Sequence, residues 1–167
     1  MKYLNDSYNI YFHCPYSNDW TNKSYSHIAN ISTVEDYCYF YKAIEAKLTY
    51  AMFFIMKSDC FPTWDDESNK EGGVLCIKVL KSDLNTYWNE LCMATLGETL
   101  LKEEHRGDFD EINGLSFSPK KSFAICKIWL RTEKYNDPKF FNIPPGYYGD
   151  VIYKSNQENI QYRCVKT

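Results

Sequence analysis

The order of short apolar runs along the chain constrains the fold more than any other feature of the sequence. Runs of strand-forming residues are interrupted by two segments with helical periodicity, and strands and helices do not alternate one by one as in a βαβ fold. Aromatic residues, which favour strands, make up 17% of the chain. This order indicates an α+β fold built on an antiparallel sheet.

Two segments carry the predicted helices. The first begins at Ser32, which Glu35 follows at the spacing of a capping box, and its apolar residues recur at helical spacing up to Leu48. The second begins after Ser82, a favoured N-cap residue, and stops at Gly97, a favoured residue just past a helix end. Each helix has one apolar face, which predicts packing on the sheet.

Eight further segments are predicted as strands, two of them separated by a long acidic loop over residues 57 to 73. The charged residues 102 to 112 are predicted as a loop, and a turn at residues 119 to 121 joins a hairpin. The predicted strands are residues 7 to 13, 25 to 31, 50 to 56, 74 to 80, 115 to 118, 122 to 130, 149 to 154 and 161 to 165.

Length and charge limit the class of protein. A chain of 167 residues suits one domain, so residues 1–167 are taken as a single domain. The net charge of −3 argues against tracking a long phosphate backbone, although a local basic pocket could hold a short anionic ligand. The longest apolar run is too short to span a bilayer, and no signal peptide is recognised. We therefore expect a cytoplasmic protein that does not contact a membrane.

Motifs for metal binding and catalysis are missing from the sequence. The seven cysteines include no C-x-x-C pair, and none of the three histidines stands at ligand spacing from a cysteine pair. Reduced thiols fit this pattern better than a disulfide framework. No glycine-rich phosphate loop, zinc-protease motif or nucleophile elbow is present, so we expect no enzyme, no metal and no cofactor.

Two tryptophans stand in polar loops, where burial in a core is not expected. Trp64 lies between Thr63 and Asp65, and polar residues surround Trp20. One interpretation is that each indole folds back as a loop anchor. The other is that the two rings sandwich one planar cation, whose N–H donors meet the carboxylate of Asp65.

Residues 115 to 131 contain four basic residues and no acidic one. A solvated hairpin edge would explain this structurally, since edge lysines discourage aggregation. The functional interpretation is a phosphate clamp at the hairpin turn, where Lys120 and Lys121 lie. Trp129 stands near the end of this run, and by itself it is predicted to be a core residue.

The loop around Trp64 matches a known pattern. Residues 62 to 73 follow P-x-W-E-x-x-x-N-x-x-G-G with Asp65 in place of Glu, and all four tryptophans fall where one family places tryptophan. On these motifs, which cover roughly residues 8 to 129, the chain resembles eukaryotic translation initiation factor 4E, the messenger-RNA cap-binding family. The resemblance implies a curved sheet of about eight strands, two to three helices on its convex face, and the ligand on its concave face.

The resemblance also implies a role for each candidate site residue. Trp20 and Trp64 would sandwich the 7-methylguanine base of the cap, Asp65 would accept hydrogen bonds from that base, and Trp129 would contact its methyl group. The lysines at the hairpin turn, Lys120 and Lys121, would bind the triphosphate. Another basic position of the family is Val74 here.

The family's helical surface binds a peptide from the scaffold initiation factor 4G or from inhibitors. The matching positions here are Val34, Cys38, Tyr41, Asn89 and Glu90. Cys38 replaces a tryptophan, which removes a large aromatic anchor. We therefore predict that the usual peptide binds weakly or in an altered way, and that this surface binds either a divergent partner or none. The protein is expected to be a monomer that binds capped mRNA.

Three other functions stay open from the sequence. The chain could be a cap-binding translational repressor or decoy that does not engage initiation factor 4G, and Cys38 is the feature in favour. It could be an aromatic-cage reader of methyl-lysine or of a peptide, which Lys120 and Lys121 disfavour because they would repel a cation. An enzyme acting on capped RNA is a third alternative.

Overall fold

A computed structural model describes the backbone of residues 1 to 166 and the side chains of residues 1 to 165. The predicted α+β fold with a curved antiparallel sheet is confirmed, but the sheet has seven strands, in the order β2-β1-β3-β5-β6-β4-β7. Every neighbouring pair in it is antiparallel. The strands are Tyr3–His13 (β1), Tyr25–Thr33 (β2), Met52–Lys57 (β3), Gly73–Leu80 (β4), Ile112–Pro119 (β5), Phe123–Leu130 (β6) and Ile152–Ser155 (β7).

Helix α1 spans Val34–Ile44, and its N-cap lies one residue later than predicted. The hydroxyl of Thr33 accepts the backbone N–H of Asp36 at 3.1 Å, and Asp36 Oδ2 accepts the backbone N–H of Thr33 at 2.9 Å. This reciprocal pair is the capping box, so the predicted pair of Ser32 and Glu35 is wrong. The carboxylate of Glu35 instead accepts a backbone N–H just before β1, at 3.0 Å.

Helix α2 spans Leu84–Leu96 and follows a 3₁₀ turn over Lys81–Asp83. Ser82 lies inside that turn, so the prediction that it caps the helix is wrong. Gly97 is the C-cap residue with φ −87°, and the left-handed conformation falls on Glu98, with φ 55°. The apolar face that the periodicity predicted is buried. The helix is therefore stabilised mainly by packing of this face on the sheet rather than by a capping residue.

Strand alternation divides the side chains of the sheet between two apolar clusters. The larger cluster lies on the side of α1 and α2 and includes Ile10, Ile55 and Leu115. The smaller one lies on the other side and includes Phe54 and Trp129. Helices α1 and α2 therefore cover one face of the sheet and leave the opposite face uncovered.

The C-terminal segment differs most from the prediction. Residues 161 to 165 do not form a strand; they belong to helix α3, Asn156–Lys166. Asn156 ties the start of α3 to the loop before β4. Its backbone N–H donates to the carbonyl oxygen of Gly72 at 2.9 Å, and its Nδ2 donates to that of Asn69 at 2.8 Å. Such contacts between distant segments override the local strand preference.

The remaining segments add three findings. Residues Glu103–Glu111 form 3₁₀ turns where the sequence predicted a loop. Within residues 1 to 166, no helix has both the length and the apolar character needed to cross a membrane. The cysteines are free thiols, and the described residues contain no cluster of side chains that could hold a metal ion.

Candidate functional site

A cleft of about 770 Å³ opens on the face of the sheet that α1 and α2 leave uncovered. The loop after β1, the loop before β4, the β5–β6 hairpin and helix α3 border it. Asp65 follows a lining residue directly, whereas Lys121 lies outside the cleft on the exposed hairpin turn. Four of the predicted site residues line the cleft: Trp20, Trp64, Lys120 and Trp129.

Trp20 lies in the loop after β1 with 42% of its surface exposed. One face of its indole stacks on the buried ring of His13, with ring centroids 4.0 Å apart and planes 2° apart. His13 Nε2 donates to the carbonyl oxygen of Asp19 at 2.8 Å, and the Asp19 carboxylate accepts the backbone N–H of Thr21 at 2.8 Å. The loop is thus fixed around Trp20, and only the opposite indole face remains for a ligand. No pattern in the sequence indicated this role of His13.

Trp64 is half-buried in the loop before β4. The fully buried Asn69 shapes this loop, because its Nδ2 donates to the carbonyl oxygens of Phe61 at 2.7 Å and Thr63 at 2.9 Å. Asn113 of β5 donates in turn to Asn69 Oδ1 at 2.8 Å. The asparagine of the matched sequence pattern therefore holds the loop that presents Trp64.

The three consecutive acids after Trp64 face different partners. Asp66 Oδ2 accepts the backbone N–H of Ser68 at 3.2 Å, so it shapes the loop from within. Glu67 pairs with Lys70 at 2.8 Å on the surface. Asp65 is left as the acid of this run that adjoins the cleft.

Trp129 of β6 belongs to the floor of the cleft and is only 3% exposed. Its Nε1 donates to Ser116 Oγ at 2.9 Å, and its ring meets that of Phe54 edge-on at a centroid distance of 6.2 Å. The prediction of a core residue is confirmed, and the same ring is also part of the cleft surface.

Asp65 has a partner that the sequence analysis missed. Arg163 of helix α3 lines the cleft, and its Nη2 donates to Asp65 Oδ2 at 2.7 Å. Burial of the Asp65 carboxyl works against ionisation, but the hydrogen bond and charge of Arg163, together with hydrogen bonds from Thr63 and the backbone, outweigh it, so the pKa of Asp65 is lowered. The resemblance ended near Trp129, and no local pattern links two residues so far apart.

The lining of the cleft also contains lysines. Lys120 and Lys127 line it, and burial lowers the pKa of Lys127. Cys76 opposes that shift, while the positive charges of Lys120 and Lys154 add to it. Among the described residues, no carboxylate forms an ion pair with any of these three lysines. The sequence placed Lys127 in the basic run but not in the site, and it gave no signal for Lys154.

The predicted partner surface lies on α1 and α2, on the other side of the sheet. Cys38 and Glu90 are exposed, Val34 is partly exposed, and Tyr41 and Asn89 are half-buried. Two bonds connect the helices here. The hydroxyl of Tyr41 donates to the carbonyl oxygen of Asn85 at 3.3 Å, and that of Tyr37 donates to Asn89 Oδ1 at 2.9 Å. The structure therefore brings the predicted residues of both helices together on one face.

The fold and the cleft define a class of α+β proteins that carry helices on one face of a curved sheet and an aromatic, lysine-bordered cleft on the other. Within this class, the chain belongs to the eukaryotic initiation factor 4E family, whose family model matches residues 3 to 166. Eukaryotic translation initiation factor 4E of Dictyostelium discoideum is 32% identical over 81 residues, which are 48% of this chain and 30% of that protein. The Xenopus laevis factor is 32% identical over 88 residues, 48% of this chain and 40% of that protein. The matches thus span less than half the length of these relatives.

Solved structures share the fold. C. elegans eIF4E-3 in complex with the 4E-binding protein Mextli has a TM-score of 0.77 at 20% identity, and 95% of each chain is covered. Schistosome eIF4E complexed with m7GpppA and 4E-BP has a TM-score of 0.70 at 26% identity, with 83% of this chain and 76% of that chain covered. Ascaris suum eIF4E-3 with m7G cap has a TM-score of 0.69 at 23% identity, with 83% and 78% covered.

Proposed function

We propose that the chain binds the 7-methylguanosine cap of mRNA and takes part in translation initiation without catalysing a reaction. The observation that carries this proposal is that Trp20 and Trp64 line one cleft and that Asp65 directly follows Trp64. The same cleft is lined by lysines that form no ion pair with a carboxylate among the described residues. Family membership supports the role in initiation. The schistosome relative complexed with m7GpppA supports the choice of ligand.

The part of the cleft around Trp20 and Trp64 suits a methylated guanine. Methylation at N7 gives the base a positive charge, which strengthens its attraction to the faces of Trp20 and Trp64. Stacking of this kind contributes roughly 1–3 kcal/mol per base. Trp20 is already held by His13, so little ordering remains when the base enters. Asp65 accepts the N–H groups of the base edge, and Trp129 in the floor meets the methyl group.

Asp65 is one methylene shorter than the glutamate of the family pattern. The carboxylate therefore reaches less far from the loop, and the base sits closer to the loop backbone next to Trp64. Its lowered pKa keeps Asp65 ionised, which a charge-assisted hydrogen bond to the cationic base requires.

The lysines in and beside the cleft suit the triphosphate. Lys120 and Lys121 were the sequence candidates, and we add Lys127 because it lines the cleft and has no carboxylate partner among the described residues. A phosphate near Lys127 meets a half-buried charge, which salt screens less than the exposed charge of Lys121. Where the family has a further basic residue, this chain has the uncharged Val74. Lys127 supplies the missing positive charge instead.

The helical surface is proposed to bind a scaffold like initiation factor 4G or a divergent partner. The structural relatives include complexes with a 4E-binding protein. Cys38 is exposed where the family pattern has a tryptophan, which weakens the anchor and favours the alternative role of a repressor that does not engage the scaffold. Co-purification of a scaffold with the cap-bound chain would support the initiation role, and its absence would favour the repressor.

Retention on 7-methyl-GTP resin tests the ligand. Free 7-methyl-GTP should elute the protein at a concentration at which GTP leaves it bound, because the uncharged base stacks less strongly and is a poorer donor to Asp65. A trimethyl-lysine peptide at the same concentration should not elute it. Elution by the peptide would favour an aromatic-cage reader, and failure to bind the resin would overturn cap binding.

A further inference from the structure

Helix α3 brings a cation into the proposed base site. Arg163 lines the same cleft as Trp20 and Trp64, and its Nη2 bonds to Asp65 Oδ2 at 2.7 Å. Tyr25, which lines the cleft, is close enough to Arg163 and Asp65 for both charges to affect its pKa. Burial raises the pKa of Tyr25, while the positive charge of Arg163 lowers it and the negative charge of Asp65 raises it. The guanidinium therefore stands at the carboxylate that the base would need.

A guanidinium and a 7-methylguanine ring offer Asp65 the same chemistry. Both are planar cations that present N–H donors along one edge. A carboxylate that accepts two N–H groups from the base must turn both oxygens toward it, and Arg163 already engages one of them. Arg163 is thus a competitor for Asp65 built into the chain.

Competition alone does not discriminate between guanine ligands, because each of them must displace the same contact. The difference lies in what the displaced arginine meets next. Its side chain keeps its charge, so leaving Asp65 costs free energy, and an additional anion in the cleft lowers that cost. A phosphate chain held at Lys120 and Lys127, in the same cleft, supplies that anion, whereas free 7-methylguanosine supplies none.

We propose that Arg163 is a specificity-determining residue, which selects phosphorylated caps over free 7-methylguanosine by leaving Asp65 for the phosphate chain of the bound cap. This inference rests on the cap binding proposed above. The side chains of Arg163 and Asp65 are 37% and 51% exposed, so the contact has the strength of a partly exposed ion pair and the selection is correspondingly modest.

The variant Arg163→Ala tests this role and keeps a strong helix former in α3. Tryptophan fluorescence titrations with 7-methylguanosine, 7-methyl-GTP and GTP give three affinities. We expect 7-methylguanosine to bind about two- to fivefold more tightly than to the unchanged protein. Binding of 7-methyl-GTP should stay the same or weaken, so the preference for the triphosphate over the nucleoside falls. The preference for 7-methyl-GTP over GTP should not change.

Arg106→Ala is the matched control, because it removes the same charge at an exposed position outside the cleft. Arg163→Gln is a second variant that keeps a polar side chain with N–H donors but removes the charge. Circular dichroism melting shows that each variant is folded before titration. Both Arg163 variants should lower the preference for the triphosphate over the nucleoside, and Arg106→Ala should not.

The outcomes separate this role from cap binding itself. If the Arg163 variants keep the preference for the triphosphate over the nucleoside, the role of Arg163 is overturned and cap binding stands. If they lose the preference for 7-methyl-GTP over GTP, Arg163 shapes the Asp65 carboxylate rather than competing for it, and the proposal is also overturned. If no protein binds any of the three ligands, cap binding falls and this inference falls with it.

Discussion

The two faces of the sheet come from the same strands but end in different environments. On the helical face, apolar side chains are sealed by α1 and α2, and the fully buried ring of Trp88 lies 3.8 Å from that of Phe117 between centroids. On the cleft face, Trp20 is 42% exposed and Lys127 carries a half-buried charge without a carboxylate partner among the described residues. The helical face therefore seals its apolar residues within the chain, whereas the cleft face keeps aromatic and basic groups accessible.

Polar side chains have a particular role on the cleft face. Around the cleft they are used to position loops: His13 supports Trp20, and Asn69 holds the carbonyl groups on either side of Pro62. Such bonds fix the indoles without covering them. Stability should therefore reside mainly on the helical face and ligand binding on the other, and four substitutions test that division.

The largest effect is expected for stability. Trp88→Ala should lower the free energy of unfolding by about 3–5 kcal/mol, because it leaves a large cavity between α2 and the sheet. Urea unfolding followed by circular dichroism measures the loss. Trp64→Ala is the matched control, since its ring is only half-buried, and it should cost less than about 1.5 kcal/mol. Equal losses would erase the proposed difference between the faces.

For ligand binding, the largest loss is expected from Trp64→Ala. We expect it to weaken 7-methyl-GTP binding by about 2–3 kcal/mol, since one stacking face and the shielding of the Asp65 bond disappear together. Isothermal titration calorimetry measures the change. Tyr39→Ala, at a 77% exposed position on α1, removes an aromatic ring from the other face and should leave the affinity unaltered. A comparable loss in both variants would mean that the cleft is not the binding site.

Asp65→Asn should separate the methylated ligand from the unmethylated one. The amide keeps the size of the side chain but loses the charge, so the bond to the cationic base should lose about 1.5–2 kcal/mol and the bond to GTP less. Competition binding with both nucleotides measures the ratio. Equal losses for the two nucleotides would contradict the role given to Asp65.

The smallest effect is expected for Lys127→Met. It should weaken 7-methyl-GTP binding by about 1 kcal/mol and reduce the salt dependence of binding, because one cation near the phosphates is lost. The free energy of unfolding should stay unchanged or rise, since a partly desolvated charge disappears. Lys42→Met, at an exposed position on α1, is the control and should change neither quantity. A loss of stability without a loss of affinity would make Lys127 a structural residue.

The sequence predicted the cleft better than the ends of the elements. Trp20 and Trp64 could be proposed from their polar loops, and Lys120 and Trp129 were assigned to the same site by the family resemblance; all four line one cleft. The start of α1 was misplaced because the pairs beginning at Ser32 and at Thr33 both have the spacing of a capping box. Only the tertiary structure decides between them, since Glu35, the acid of the rejected pair, accepts the backbone N–H of Lys2 instead.

The sequence failed at the tail for a different physical reason. Residues 161 to 165 contain Tyr162 and Val165, which favour strands, and no pattern in the neighbouring residues indicated a helix. The helix depends on Asn156 being bonded to a loop that precedes it by more than half the chain. The meeting of Arg163 with Asp65 depends on the same docking, so no local reading of the sequence could have placed it.

The docking of Asn156 also gives α3 a pivot. The first turn of the helix is bolted to the tryptophan loop through Asn156 and through Gln157, whose Nε2 donates to the carbonyl oxygen of Lys70 at 2.8 Å. Arg163 lies about 10 Å further along the helix axis, at 1.5 Å per residue. A swing of about 20° about that pivot moves the guanidinium by about 3–4 Å, roughly the length of one hydrogen bond. The exchange of partners proposed for Arg163 therefore requires only a small displacement, and the bonds of Asn156 and Gln157 to the loop can stay in place.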